Sequence, residues 1–161
     1  MNQLSYAQYT PAKAQNAYKI PEGVSSEVAA AVLLQGLTAL TMIRESYPVK
    51  KGDWILVQAA AGGVGLLLVQ MLKSVGVKVI ATCSGSKIPQ VEKYKPELII
   101  DYTKEDWVAK VKEVTGGQGV AAVFDGVGKS TFDGALEVLA RRGSMISFGN
   151  ASGPPDPLTI A

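Results

Sequence analysis

Residues Trp54–Gly76 read "WILVQAAAGGVGLLLVQMLKSVG". The stretch opens as a short continuous apolar run, the signature of a strand buried on both faces, and closes with the spacing of an amphipathic helix. Gly62, Gly63 and Gly65 stand where one pattern gives way to the other. A strand ending at Gln58 that passes through "AAAGGVG" into a helix fits the dinucleotide turn G-x-G-x-x-G, with Ala60, Gly62 and Gly65 in its three glycine slots. Each slot makes a mechanical demand. The first takes a small residue for a tight turn, the second must leave room for a pyrophosphate beside the backbone, and the third lets the helix pack closely on the strand. Ala60 is a tolerable departure at the first. The helix starting near Gly63 then directs its unpaired N–H groups and positive dipole end at an anion. The competing reading is a glycine pair that serves packing alone. A nucleotide-triphosphate loop is excluded, because "GGVGLLL" lacks the Gly-Lys-Ser/Thr it requires.

The pattern repeats outward from this turn. Strands are expected at Trp54–Gln58, Lys78–Cys83, Leu98–Asp101, Val120–Phe124 and Ser144–Phe148, each a short and nearly continuous apolar run. Helices are expected at Gly63–Val75, Lys87–Lys95, Glu105–Val114 and Ser130–Arg141, with Thr103 and Asp106 as a capping box for the third. Alternating strands and helices imply right-handed crossovers. The fold class is therefore α/β: a Rossmann-like, doubly wound parallel sheet with helices on both faces.

The end of the second expected strand decides which dinucleotide fits. An enzyme using NAD places an acid there to accept from the ribose 2′-hydroxyl. This chain has "ATCSGSK", with no carboxylate between Lys78 and Val91. Ser84, Ser86 and Lys87 instead offer donors and a cation suited to a 2′-phosphate, which favours NADPH. The competing reading makes Lys87 a solvated lysine at a helix start.

Bulk properties narrow the rest. The chain has 161 residues, 47% of them apolar and 19% charged, the composition of a globular domain. Its formal net charge of +2 is scattered, so no basic stripe marks a nucleic-acid binder. One cysteine, Cys83, and no histidine exclude a disulfide framework and leave too few soft ligands for zinc, so no metal site is expected. A reducing, cytoplasmic setting is expected. The longest apolar run, Val64–Leu72, is broken by Gln70 and falls well short of the ~20 residues a membrane span needs, so no membrane partner is expected.

Before the first strand, "SYAQYTPAKAQNAYKIPEG" alternates aromatic and polar residues around Pro11 and Pro21, which predicts short edge strands and loops. The alternation of the N-terminus, "MNQLSYAQYTPAKAQ", looks like a strand cut from its neighbours, so a piece of a longer protein is expected. "EVAAAVLLQGLTALTMIRESY" has helical period, with Ser25 or Ser26 as its cap and an end near Tyr47, before Pro48. "YTPAK" supplies a Tyr-x-x-x-Lys pair at Tyr9 and Lys13, as in short-chain reductases, but that pair should follow the glycine turn and here precedes it.

With "LLQGLTAL", "PVKKGDWILVQAAAGGVGLLLVQMLKSVG", "VFDGVGKSTFDGALEVLARRG" and "SFGNASGP" in place, the chain resembles the zinc-free quinone oxidoreductase branch of the medium-chain dehydrogenase/reductase superfamily, the group that includes zeta-crystallin. The resemblance runs from about Tyr6 to Ile160. It implies a cofactor domain that holds NADPH for hydride transfer to quinones or related electron-poor carbonyl and enone compounds. It further implies that Gly62, Gly63 and Val64 line the pyrophosphate, and that Ser84, Ser86, Lys87 and the Tyr102 hydroxyl receive the 2′-phosphate. Val127 and Asn150, Ser152 and Gly153 would pass near the nicotinamide. No catalytic side chain is implied, since the cofactor carries the chemistry. Read without the resemblance, Tyr102 is a strand-end aromatic, and Asn150 and Ser152 are turn residues.

Two departures from the family pattern bear on this. "DGVG" replaces the usual Asp-Ser-Val-Gly, so Gly126 removes a hydroxyl and any contact it made. The family protein is also about twice as long. Residues 1–24 are expected to be a remnant of a substrate domain, 25–150 the NADPH-binding domain and 151–161 a cut tail, with strand order 3-2-1-4-5 and a sixth strand missing. The resemblance implies a homo-oligomer, a dimer in the intact protein, and little turnover by this chain alone. Relatives linked to AU-rich RNA and to a structural role in lens make a binding or crystallin-like module the alternative, against which the missing basic cluster weighs.

Overall fold

A computed structural model describes residues 6–158. The chain divides into two compact units, Met1–Leu33 and Leu34–Ala161. In the first, the expected edge strands do not form among the described residues: a single 3-10 turn, Ala14–Asn16, and the turn closed by Val24 N–H on the Pro21 carbonyl stand there instead. Alternation makes a strand only where a neighbouring edge completes its ladder, and Pro11 and Pro21 bring no N–H. The part of that expectation at residues 1–5 lies outside the described residues. Ser25 caps the helix α1, Ser26–Thr41, by accepting from the Val28 N–H at 3.3 Å.

Past Thr41 the helix widens into a π turn, Met42–Ser46, and stops where Tyr47 N–H donates to the Met42 carbonyl. The whole helical stretch Ser26–Ser46 is 21 residues, long and apolar enough by length and composition to cross a membrane. The expectation above weighed only uninterrupted apolar runs and so did not count this helix, which is punctuated by Gln35 and Thr38 and is of a kind that core helices of soluble proteins also reach. Within the second unit, Gly36, Ala39, Met42 and Ile43 of this stretch are buried.

The second unit carries the sheet. Strands β1 (Trp54–Val57), β2 (Lys78–Cys83), β3 (Leu98–Asp101), β4 (Val120–Asp125) and β5 (Leu139–Ser147) are parallel in the order β3-β2-β1-β4-β5. Helices α2 (Gly63–Ser74), α3 (Ile88–Glu92), α4 (Trp107–Val114) and α5 (Phe132–Glu137) make the crossovers. Successive strand residues serve opposite faces. Ile55, Val57, Val79, Ala81 and Phe124 pack with Leu68, Val69 and Leu72 of α2, while Leu56, Ile80, Ile100 and Val123 pack with Val111 of α4 and Ala135 of α5. All of these side chains are buried, each contributing about 1.5–3 kcal/mol for the larger ones, and the two clusters explain why the strands read as continuous apolar runs. The Rossmann-like doubly wound fold is thus observed.

Several expected boundaries are corrected. The fifth strand starts at Leu139 instead of Ser144, and its helix ends at Glu137 instead of Arg141. Leu139 already pairs with Val120, and a bulge carrying Arg142 at φ 66° lies between that pair and the next, Ala122 with Ser144. Pairing with β4 outweighs the helical propensity of "EVLARR". The helix α4 starts at Trp107, capped by Asp106, whose Oδ1 accepts from Val108 and Ala109 N–H at 3.0 and 3.1 Å, so Thr103 forms no capping box. The helix expected from Lys87 to Lys95 is a 3-10 turn, Gly85–Lys87, followed by the five residues of α3.

Candidate dinucleotide site

The carboxyl ends of β1, β2 and β4 meet at the point where strand order reverses, the usual crevice for a ligand in such sheets. The turn from β1 to α2 is tied to both neighbours: Gln58 N–H donates to the Phe124 carbonyl at 3.0 Å and Ala60 N–H to the Thr82 carbonyl at 2.9 Å. Ala59 sits at φ 51°, a left-handed conformation that costs a non-glycine residue of order 1–3 kcal/mol and tends to occur at functional turns.

The three turn glycines do different things. A Cβ on Gly65 would lie 2.5 Å from the Ala59 carbonyl oxygen and 2.8 Å from the Ala60 Cα, so this glycine seats the helix on the strand end. A Cβ on Gly63 would overlap the carboxamide of Gln35, which rests on the turn from α1. At Gly62 it would meet only the Ala59 carbonyl oxygen, at 3.2 Å, and Gly62 is exposed. Packing accounts for Gly65 and Gly63, whereas at Gly62 a Cβ would crowd a single backbone oxygen on an otherwise exposed flank. Ala60 is fully buried and Val64 half-buried against the core. Among the described residues, the N–H groups of Gly63, Val64 and Gly65 find no acceptor, which leaves the positive end of α2 with three free donors.

Beside the turn lies a cavity of about 520 Å³, lined by Gln58, Ala59, Thr82, Tyr102, Trp107, Val127, Ser130, Thr131, Ala151 and Ser152. Of the residues expected from sequence, Tyr102, Val127 and Ser152 line it; Tyr102 is 54% exposed. Gln58 and Thr82 were missed. Both are polar residues beside the carboxyl end of an apolar strand, Gln58 just past β1 and Thr82 next to last in β2, which was the signal available. The Thr82 hydroxyl donates to Gln58 Oε1 at 2.5 Å, while Gln58 Nε2 is buried with no partner. A buried donor left unpaired costs about 1–3 kcal/mol and is uncommon in a folded chain.

At the end of β2, Ser84 and Ser86 bring their hydroxyl oxygens to 3.5 Å, and Lys87 is exposed without an ion pair among the described residues. Burial, with the carboxylate of Asp101 alongside, raises the pKa of the Cys83 thiol at the end of β2, against the opposing pull of Lys87. The thiol is therefore held neutral.

The turn after β4 is built on a residue that the sequence reading passed over. Asp125, fully buried, accepts from the N–H of Val127 and Gly128 at 2.6 and 3.0 Å and from the Thr131 hydroxyl at 2.6 Å. Ser152 N–H and Oγ both donate to the Val127 carbonyl at 2.8 Å, and Ser152 Oγ accepts from Ser130 N–H. Asn150–Gly153 therefore lies against Val127–Ser130, with Gly153 accepting from Lys129 N–H. The place of the side chain that Gly126 lacks is taken by the ring of Phe148, 2.8 Å from where a Cβ would stand.

Residues 63–161 match the family described as zinc-binding dehydrogenase. The chain is 46% identical over 157 residues to a probable quinone oxidoreductase of Schizosaccharomyces pombe, covering 97% of this chain and 47% of that protein. A mycobacterial protein solved with NADPH is 47% identical, with a TM-score of 0.82 over 88% of this chain and 44% of its own. The Escherichia coli quinone oxidoreductase solved with NADPH is 41% identical, with a TM-score of 0.83 over 87% and 43%. The chain thus spans about half the length of the curated relatives it matches, and it belongs to the zinc-binding dehydrogenase family, in its zinc-free quinone oxidoreductase branch.

Proposed function

We propose that this chain is the NADPH-binding domain of a quinone oxidoreductase, which passes a hydride from NADPH to quinones or related electron-poor carbonyl and enone compounds. The observation that carries the reading is the exposed backbone flank of Gly62 at the free N–H groups of Gly63 and Val64, because a pyrophosphate needs both the close approach and the donors. The orphaned Gln58 Nε2 beside the cavity adds to it: a polar group without a protein partner there suits a crevice that takes a polar ligand. The two structures quoted above were solved with NADPH.

In this reading Gly62, Gly63 and Val64 hold the pyrophosphate, with Ala60 and Gly65 fixing the turn around it. Ser84, Ser86, Lys87 and Tyr102 hold the 2′-phosphate. Val127, Asn150, Ser152 and Gly153 shape the groove toward the nicotinamide, whose hydride is the chemistry the cofactor supplies when bound. Ser152 does so as a staple between two loops, since its own polar groups bond Val127 and Ser130.

The test compares NADPH and NADH by fluorescence titration of the protein and of Lys87→Ala. A charge-assisted hydrogen bond contributes about 1.5–3 kcal/mol, so NADPH should bind the parent roughly ten- to a hundredfold tighter than NADH, and the variant should lose most of that preference. Equal affinities in the parent would overturn the assignment of the Ser84–Lys87 turn.

A further inference from the structure

Asp101, the last residue of β3, lies under the Ser84–Lys87 turn and has no part in the reading above. It pairs across the sheet with Cys83 and is 6% exposed. Its Oδ1 accepts from the Thr103 hydroxyl at 2.6 Å and the Thr103 N–H at 3.1 Å. A Cβ on Gly85 would overlap Oδ2 of the same carboxylate, so the turn rests directly on it. Lys104 Nζ stands 3.9 Å from Oδ2.

These contacts give the carboxylate an unusual position. An acid at the end of a neighbouring strand in such a fold has two obvious effects on a ribose: it accepts from a free 2′-hydroxyl, and it repels a 2′-phosphate. Asp101 is placed to do neither, because its oxygens are turned to Thr103 and Gly85 and its charge is partly balanced by Lys104. It also fixes the backbone between the two serines whose hydroxyls lie 3.5 Å apart.

We propose that Asp101 is a positioning residue for cofactor choice: by packing its carboxylate against Gly85 from below, it sets Ser84, Ser86 and Lys87 for a 2′-phosphorylated ribose. The inference rests on the NADPH reading. Glycine is required at position 85 for the same reason, since any side chain there would push the turn off the carboxylate.

Two variants test it by the ratio of NADH to NADPH dissociation constants. Asp101→Asn keeps an oxygen for Thr103 but puts a neutral amide in place of the carboxylate oxygen that lies against Gly85. Gly85→Ala leaves β3 intact and displaces the turn from above. Both should weaken NADPH by about tenfold while leaving NADH within about twofold, the loss of one charge-assisted contact set. A role confined to folding would lower the melting temperature and weaken both cofactors alike, with the ratio unchanged. That outcome in both variants, or in Gly85→Ala alone if Asp101→Asn does not fold, overturns the inference while leaving the NADPH reading intact. A parent that binds neither cofactor overturns both.

Discussion

Gly65 and Ala60 touch: the Cα of Ala60 lies 2.8 Å from where a Gly65 Cβ would stand, and the Ala59 carbonyl oxygen lies 2.5 Å from it. Both atoms belong to backbone held by the sheet and have nowhere to yield. Gly65→Ala should therefore lift α2 off the strand end and cost about 1–3 kcal/mol, the range for overpacking, read as a lower midpoint in urea. An unchanged midpoint would contradict this account of the third glycine.

Gly62 should behave in the opposite way. Its φ of −76° and ψ of 168° are open to any residue, and only the Ala59 carbonyl oxygen at 3.2 Å crowds a Cβ. Gly62→Val should fold with a midpoint close to that of the parent and bind NADPH at least about a hundredfold more weakly, since the branched side chain fills the space the pyrophosphate needs. A folded Gly62→Val protein with its NADPH affinity intact would make the turn a packing device.

This contrast shows what the sequence made legible. Continuous apolar runs located the strands, because both sheet faces are covered and most residues of β1, β2 and β4 are buried in one core or the other. The glycine turn was legible because its demands are local. The start of β5 was not, since the bulge at Arg142 answers to β4, a partner about 20 residues away in sequence. Asp101, Asp125 and Thr82 look like ordinary strand ends until the turns they hold are brought over them.

Gly126→Ser, which restores the family's hydroxyl, should be resisted by Phe148. The new Cβ would lie 2.8 Å from the ring's Cε2, so the ring must swing away from the core it packs against. The cost should be about 1 kcal/mol or more, visible as a lowered melting temperature. Gly126→Ser combined with Phe148→Leu should recover part of that loss relative to Phe148→Leu alone; strict additivity of the two changes would contradict the contact.

Acid should act in part through Glu97. Burial pushes its pKa up, but the Lys73 ammonium at 2.5 Å and the Val79 N–H at 2.6 Å outweigh it and hold the group below its usual 4.5. A carboxyl whose pKa falls on folding contributes stability that is present above its unfolded value and is lost as pH drops through the folded one. Melts between pH 7 and pH 3 should therefore show the parent losing more stability below about pH 4.5 than Glu97→Gln does. Parallel curves for the two would remove Glu97 from the acid response.

The central claim is that the β1–α2 turn and the Ser84–Lys87 turn together bind NADPH. It is tested most directly by titrating the unmodified chain with NADPH and following nicotinamide fluorescence. The account predicts saturation at one NADPH per chain, with a dissociation constant on the order of micromolar, about 8 kcal/mol of binding, and a weaker curve for NADH. A signal that rises linearly with NADPH into the millimolar range, or saturates only for NADH, would contradict it.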